Sequence, residues 1–184
     1  MFAYLKGRSY DIVRMLLYQI AIAIFGISLA FATTSRDTST LQIVTGVFSV
    51  IFYLFLIAYL LWDMGIKDLG RFNRGEEGIS RLTGLYMGLV AGLPNFLIAI
   101  LVTLGTFLAD IPFFGKMGGV AATVGLLIEG MYMGLLSLRV GDVPLNSLWF
   151  MWFLIALPMP LTATLAYYAG SKDFHLFKPK PPKM

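Results

Sequence analysis

Cysteine is absent from the chain, which excludes disulfides, thiolate metal clusters and cysteine nucleophiles. Histidine occurs once, as His175 near the C-terminus, so neither a histidine-based metal site nor a Ser-His triad can be assembled. No glycine-rich phosphate-binding loop is present. Charge is scarce as well. Only 13% of the 184 residues are Asp, Glu, Lys or Arg, against about 25% in a soluble domain.

Apolar side chains take the place of charge: 58% of the chain is hydrophobic and the mean hydropathy is +0.80. Such a chain cannot cover itself with a water-facing surface, so its solvent is lipid. The length suits a single helical membrane domain over 1–184. Net charge is +4 and the pI about 9.4, yet the basic residues sit in short loops and in the tail. Membrane orientation accounts for them there, and no nucleic-acid partner is expected.

Five apolar segments follow one another: 15–32, 41–61, 84–108, 118–138 and 147–169. In hydrocarbon every backbone polar group needs a partner, and these runs are long and lack alternation, so they predict helices rather than barrel strands. The expected fold is all-α and integral to the membrane, with four to five transmembrane helices, one of them re-entrant. The first segment follows Lys6, Arg8 and Arg14 and carries Ala30-Phe31-Ala32, a pattern that imitates a cleavable signal peptide. Its length also suits a span, and it is read as one. In the fifth segment, Trp149, Trp152, Tyr167 and Tyr168 suit the two interfaces.

Lysine and arginine set the expected orientation. Three basic residues precede the first segment, and Lys67, Arg71, Arg74 and Arg81 lie between the second and third; only Arg36 lies between the first and second. The N-terminus and residues 62–81, read as a loop, are therefore cytoplasmic. Five full crossings would leave Lys172, Lys178, Lys180 and Lys183 outside. The rule holds at both ends if one segment does not cross. Segment four, rich in glycine and carrying an acid, is the expected re-entrant one. The terminal "KPKPPKM" within 171–184 reads as a disordered basic tail that anchors to an anionic leaflet.

Gly84, Gly88 and Gly92 form one ladder at four-residue spacing, and Gly125, Gly130 and Gly134 populate segment four. Small residues at this spacing let another backbone approach, within the chain or across an oligomer seam. "TGLYMGLVAG" and "EGMYMGLLSL" share a short core, which in so restricted an alphabet is read as coincidence rather than an internal repeat. Pro94, Pro158 and Pro160 predict kinks that free the carbonyls of Val90, Leu154 and Ala156. Freed carbonyls either are satisfied by neighbouring side chains or serve as cation or proton ligands.

The residue hardest to explain is Glu129, alone in "VGLLIEGMYMGLLSL". An acid near mid-membrane costs roughly 3 kcal/mol on insertion scales, so it is kept where it is paired, neutral or facing a polar cavity. On a continuous helix it shares a face with Ala122, Gly125, Tyr132, Met133 and Leu136. Gln19, Asn95, Tyr132 and Arg14 are candidate partners. Glu129, Asn95, Tyr132 and Gln19 form the candidate substrate- or ion-binding set, with a structural hydrogen bond as the alternative. Asp63 and Asp68, in "WDMGIKDLGRFNRGEEG", raise a third possibility, a metal-dependent lipid-modifying enzyme. They lack the two-helix aspartate pattern of such enzymes, and a solvated, charge-balanced loop is the plainer reading. No catalytic residue, metal or cofactor is assigned.

"WDMGIKDLGRFNRG", "GLPNFLIAI" and "ALPMP" followed by "AYYAG" resemble a group of uncharacterised small membrane proteins of Gram-positive bacteria. The resemblance is scattered over 62–170 and implies a bacterial plasma-membrane setting, without an activity to carry over. Size and helix number are also similar to vitamin-binding subunits of energy-coupling transporters, with no motif in common. The functional expectation is a small membrane transport component, either a substrate-binding or a permease subunit, completed as a homo-oligomer or by a membrane partner. The alternative is a structural or regulatory subunit of a larger complex.

Overall fold

A computed structural model describes residues 7–34, 39–75, 80 and 82–172. The expectations for the tail beyond Lys172, including His175, lie outside them. The fold is almost entirely helical. Helix α1 spans Ser9–Thr34, α2 Ser39–Asn73, α3 Thr83–Phe107 and α4 Pro112–Ile128. A single 3-10 turn, Gly130–Tyr132, leads into the short α5, Met133–Leu136. After it come a two-stranded hairpin (β1 Arg139–Val140, β2 Val143–Pro144) and a 3-10 turn at Leu145–Ser147. The final span consists of α6, Trp149–Ala156, and α7, Pro158–Gly170.

Helices α1, α2, α3 and the α6–α7 unit are long and apolar enough to cross a bilayer. Their buried residues recur at helical spacing. In α1 the inward seam runs Met15, Gln19, Ile22, Ala23, Gly26, Ala30 and Thr33; in α2 it includes Ser49, Tyr53, Ile57, Leu60, Leu61, Met64 and Asp68. The opposite faces present Leu17, Ile24, Phe48, Ile51 and Phe55 outward, as lipid solvation requires.

Two expectations are corrected here. Residues 62–81 are not a loop throughout, because α2 continues to Asn73. Its inward seam persists through Met64 and Asp68, and an i,i+4 pair of Lys67 with Asp63 at 2.5 Å supports the exposed side. Segment four is not one helix either. It breaks at Glu129, and the pieces on the two sides meet at 86°.

The packing shows where that broken segment goes. Gly118 of α4 abuts Gly105 of α3, and Gly125 lies against Ile98 and Trp152, so α4 runs antiparallel to α3 from the Phe107 end inward. Beyond the break, Gly130 rests on Ala23 and Ile27, and Gly134 rests on Gln42 and Gly46. Each of these contacts lies farther from the Arg8 and Asp68 end of the bundle than Gln19 does. The chain then reaches Trp149, whose ring is 5.5 Å from that of Phe107. Segment four therefore enters and leaves by the same end: it is re-entrant. At the opposite end Arg8 pairs with Asp68 at 2.5 Å, and Tyr167 donates to Asp68 at 2.9 Å. The start of α1, the end of α2 and the end of α7 therefore lie together.

Candidate functional site

The site forms where the re-entrant tip meets the middles of three spans. Asn95 is the central residue of α3, and Gln19 and Tyr53 lie on the inward seams of α1 and α2. Gln19 Nε2 donates to Asn95 Oδ1 at 2.7 Å, and lies 3.5 Å from the carbonyl of Ile128, the last residue of α4. Glu129 caps α4 with non-helical ψ of 29°, and the next three residues, Gly130, Met131 and Tyr132, are all buried.

Backbone contact explains why the chain can turn here. A Cβ on Gly26 of α1 would lie 2.5 Å from Met131 Cα and 2.7 Å from Gly130 O. A Cβ on Gly130 would lie 2.5 Å from Ala23 O. The two glycines thus let the tip touch α1 backbone to backbone, at a distance no side chain permits. Gly130 came from the sequence reading; Gly26 did not. Its only signal was its place on the α1 seam, four residues before Ala30 and three after Ala23.

Glu129 is 2% exposed. Both of its carboxylate oxygens lack a hydrogen-bond partner among the described residues, as do Gln19 Oε1, Tyr53 Oη and Tyr132 Oη. Tyr132 lies in the turn that follows Glu129, and this turn packs against both α1 and α2, the helices of Gln19 and Tyr53. No described basic side chain pairs with it. Leaving a buried polar group unsatisfied costs about 1–3 kcal/mol, more if it is charged. Five such oxygens, contributed by α1, α2 and the re-entrant tip, are the buried side-chain atoms left without a partner among the described residues.

The structure thus brings Gln19 to Asn95 and sets the pair beside the end of α4 that leads into Glu129 and Tyr132. It adds Tyr53, which the sequence reading missed although its spacing from Ser49 and Ile57 placed it on the buried face. Arg14 is not a partner of Glu129; it is exposed and bonds Tyr18 Oη at 2.8 Å. The shared helical face from Ala122 to Leu136 does not exist as such, because the 86° break divides it at Glu129. "TGLYMGLVAG" lies in one continuous helix, whereas "EGMYMGLLSL" spans the break, so the two stretches are not conformational repeats.

The remaining candidates serve packing. Gly84 lies against Ala163 and Tyr167, and Gly88 against Pro160 and Ala163, so this ladder seats α3 on α7 within the chain. Gly92 differs: the nearest atoms to an added Cβ are Phe96 at 3.5 Å and Met159 at 3.7 Å, ordinary contacts. Pro94 leaves α3 in one piece, and its freed carbonyl belongs to Val90, which is exposed. Pro158 starts α7 after the interruption at Leu157, and Pro160 stays within α7 with its carbonyl accepting from Thr164 Oγ1 at 2.6 Å. Asp68 is bonded by Arg8 and Tyr167 and has Arg71 3.6 Å away, while Asp63 pairs with Lys67. A groove of about 530 Å³ lies between α3 and α4. It is lined by Leu97, Leu101, Val124 and Ile128 with Lys116, and it reaches Pro94 and Ile128, the sequence neighbours of Asn95 and Glu129. Compared with protein-family models, curated proteins and solved structures, the chain matches none.

Proposed function

We propose that the chain is a small membrane transport component whose binding site is the cluster of Glu129, Tyr132, Tyr53, Gln19 and Asn95. The observation that carries the reading is Glu129: buried, near the middle of the bundle, with both oxygens unpartnered among the described residues. A carboxyl held only for structure would be expected to have a hydrogen-bond partner, as Asp68 has at the bundle end. Broken helices meeting at mid-membrane are also how transporters present backbone and side-chain groups to a substrate or coupling ion. The two acids of the enzyme alternative are both engaged in ion pairs, Asp63 with Lys67 and Asp68 with Arg8.

The end of the bundle holding Arg8, Lys67, Arg71 and Arg74 faces the cytoplasm by the positive-inside rule. The tip then enters from the external side of a bacterial plasma membrane. Assembly as an oligomer, or with a membrane partner, belongs to the same reading.

The test is uptake by cells producing wild-type chain or Glu129→Gln at equal folded amounts, with a panel of labelled ions and small solutes. Wild type should accumulate at least one of them, and Glu129→Gln should lose most of that uptake. Uptake indifferent to the substitution would sink the proposal. Copurification in a fixed ratio with a non-transport complex would then favour the structural-subunit alternative.

A further inference from the structure

We infer that the cluster around Glu129 is a site for one monovalent alkali cation, the ion to which transport is coupled. This rests on the proposed transport reading but names its ligand. The donor set is chemically uniform: the five unmatched buried atoms among the described residues, Gln19 Oε1, Tyr53 Oη, Tyr132 Oη and both Glu129 carboxylate oxygens, are all oxygen. Hard cations take oxygen ligands, whereas transition metals favour nitrogen and sulfur. The chain has no cysteine, and its one histidine is His175.

Charge selects the valence. Glu129 is the only acid in the cluster, and no described group of three or more acidic or histidine side chains exists to hold a more highly charged metal. One carboxylate and neutral phenol and amide oxygens balance a single positive charge, whereas a divalent ion would leave one charge uncompensated at hydrocarbon depth. The ligands come from separate elements: Gln19 from α1, Tyr53 from α2, and Glu129 and Tyr132 from the re-entrant tip. Binding would therefore tie the tip to two spans.

The experiment is thermal unfolding of the purified full chain in detergent, in NaCl, KCl or choline chloride at equal ionic strength. One alkali cation should raise the midpoint saturably over choline, and Glu129→Gln should abolish the increment. Because that variant could fail to fold, Tyr53→Phe is measured beside it. Loss of one oxygen contact should weaken the apparent cation affinity by roughly fivefold. Midpoints identical in the three salts, or a cation increment that survives in Glu129→Gln, would overturn the inference. Uptake that needs Glu129 without any cation effect would leave transport standing and remove the alkali ion. A cation effect without Glu129-dependent uptake would keep the cation site and remove its coupling to transport.

Discussion

Gly26 is the position where a single methyl group tests the whole arrangement of the re-entrant tip. In Gly26→Ala the new Cβ would lie 2.5 Å from Met131 Cα, 2.7 Å from Gly130 O and 2.9 Å from Met131 N. All three atoms are backbone, so no side-chain rotation relieves the clash. Either α1 or the tip must move, and the tip carries Glu129 with it. Overpacking of this kind costs about 1–3 kcal/mol, and the rigid neighbours put this case near the upper end. Alanine returns about 1 kcal/mol through its better helix propensity. The net expectation is a loss of about 2 kcal/mol. At roughly 2–4 °C per kcal/mol for a chain of this size, the midpoint should fall by about 4–8 °C. Gly119→Ala supplies the control, because nothing lies within 4 Å of its added Cβ in α4; the propensity gain should appear there without the clash. The assay is the thermal midpoint of each purified variant in one detergent. If Gly26→Ala is as stable as Gly119→Ala, the tip does not pack on α1 as described, and the placement of Glu129 loses its support.

Single cysteines introduced at the exposed positions Asp110 and Asp142 should react with an impermeant thiol reagent from the same side, and those at Asn73 and Lys172 from the other. Opposite sides for 110 and 142 would mean that segment four crosses completely. Asp68→Asn removes the buried carboxylate shared by Arg8 and Arg71, while Arg8 keeps Asp11 3.5 Å away, and should cost about 1–3 kcal/mol; Asp63→Asn, in an exposed pair, should cost under about 1 kcal/mol by denaturation. Gly88→Ala should destabilise the monomer, because its Cβ would meet Pro160 Cα at 2.7 Å, whereas Gly92→Ala should be near neutral. Equal midpoints for those two variants would refute the seating of α3 on α7.

The sequence by itself determined the solvent and the class of fold. Long apolar runs with almost no charge leave helices in lipid as the only way to satisfy the backbone, and the basic residues near both ends favoured one segment that turns back over five full crossings. It also singled out Glu129, because an acid is rare and costly at that depth, and it offered Gln19, Asn95 and Tyr132 as its company. The reach of α2 past residue 61 was legible only in hindsight: the charges of "WDMGIKDLGRFN" look like a loop until Met64 and Asp68 are seen to continue the buried seam. Tertiary structure alone decided the rest. Where segment four breaks depends on Gly26 and Gly130 meeting across two helices more than a hundred positions apart in the chain, a contact local propensity does not encode. The same contact chose the polar partners. A one-dimensional pattern can place Tyr53 on the inner face of α2 and leave Arg14 a plausible ion-pair partner, but only the packed bundle sets the re-entrant tip against the helix of Tyr53 and leaves the arginine bonded to Tyr18 instead.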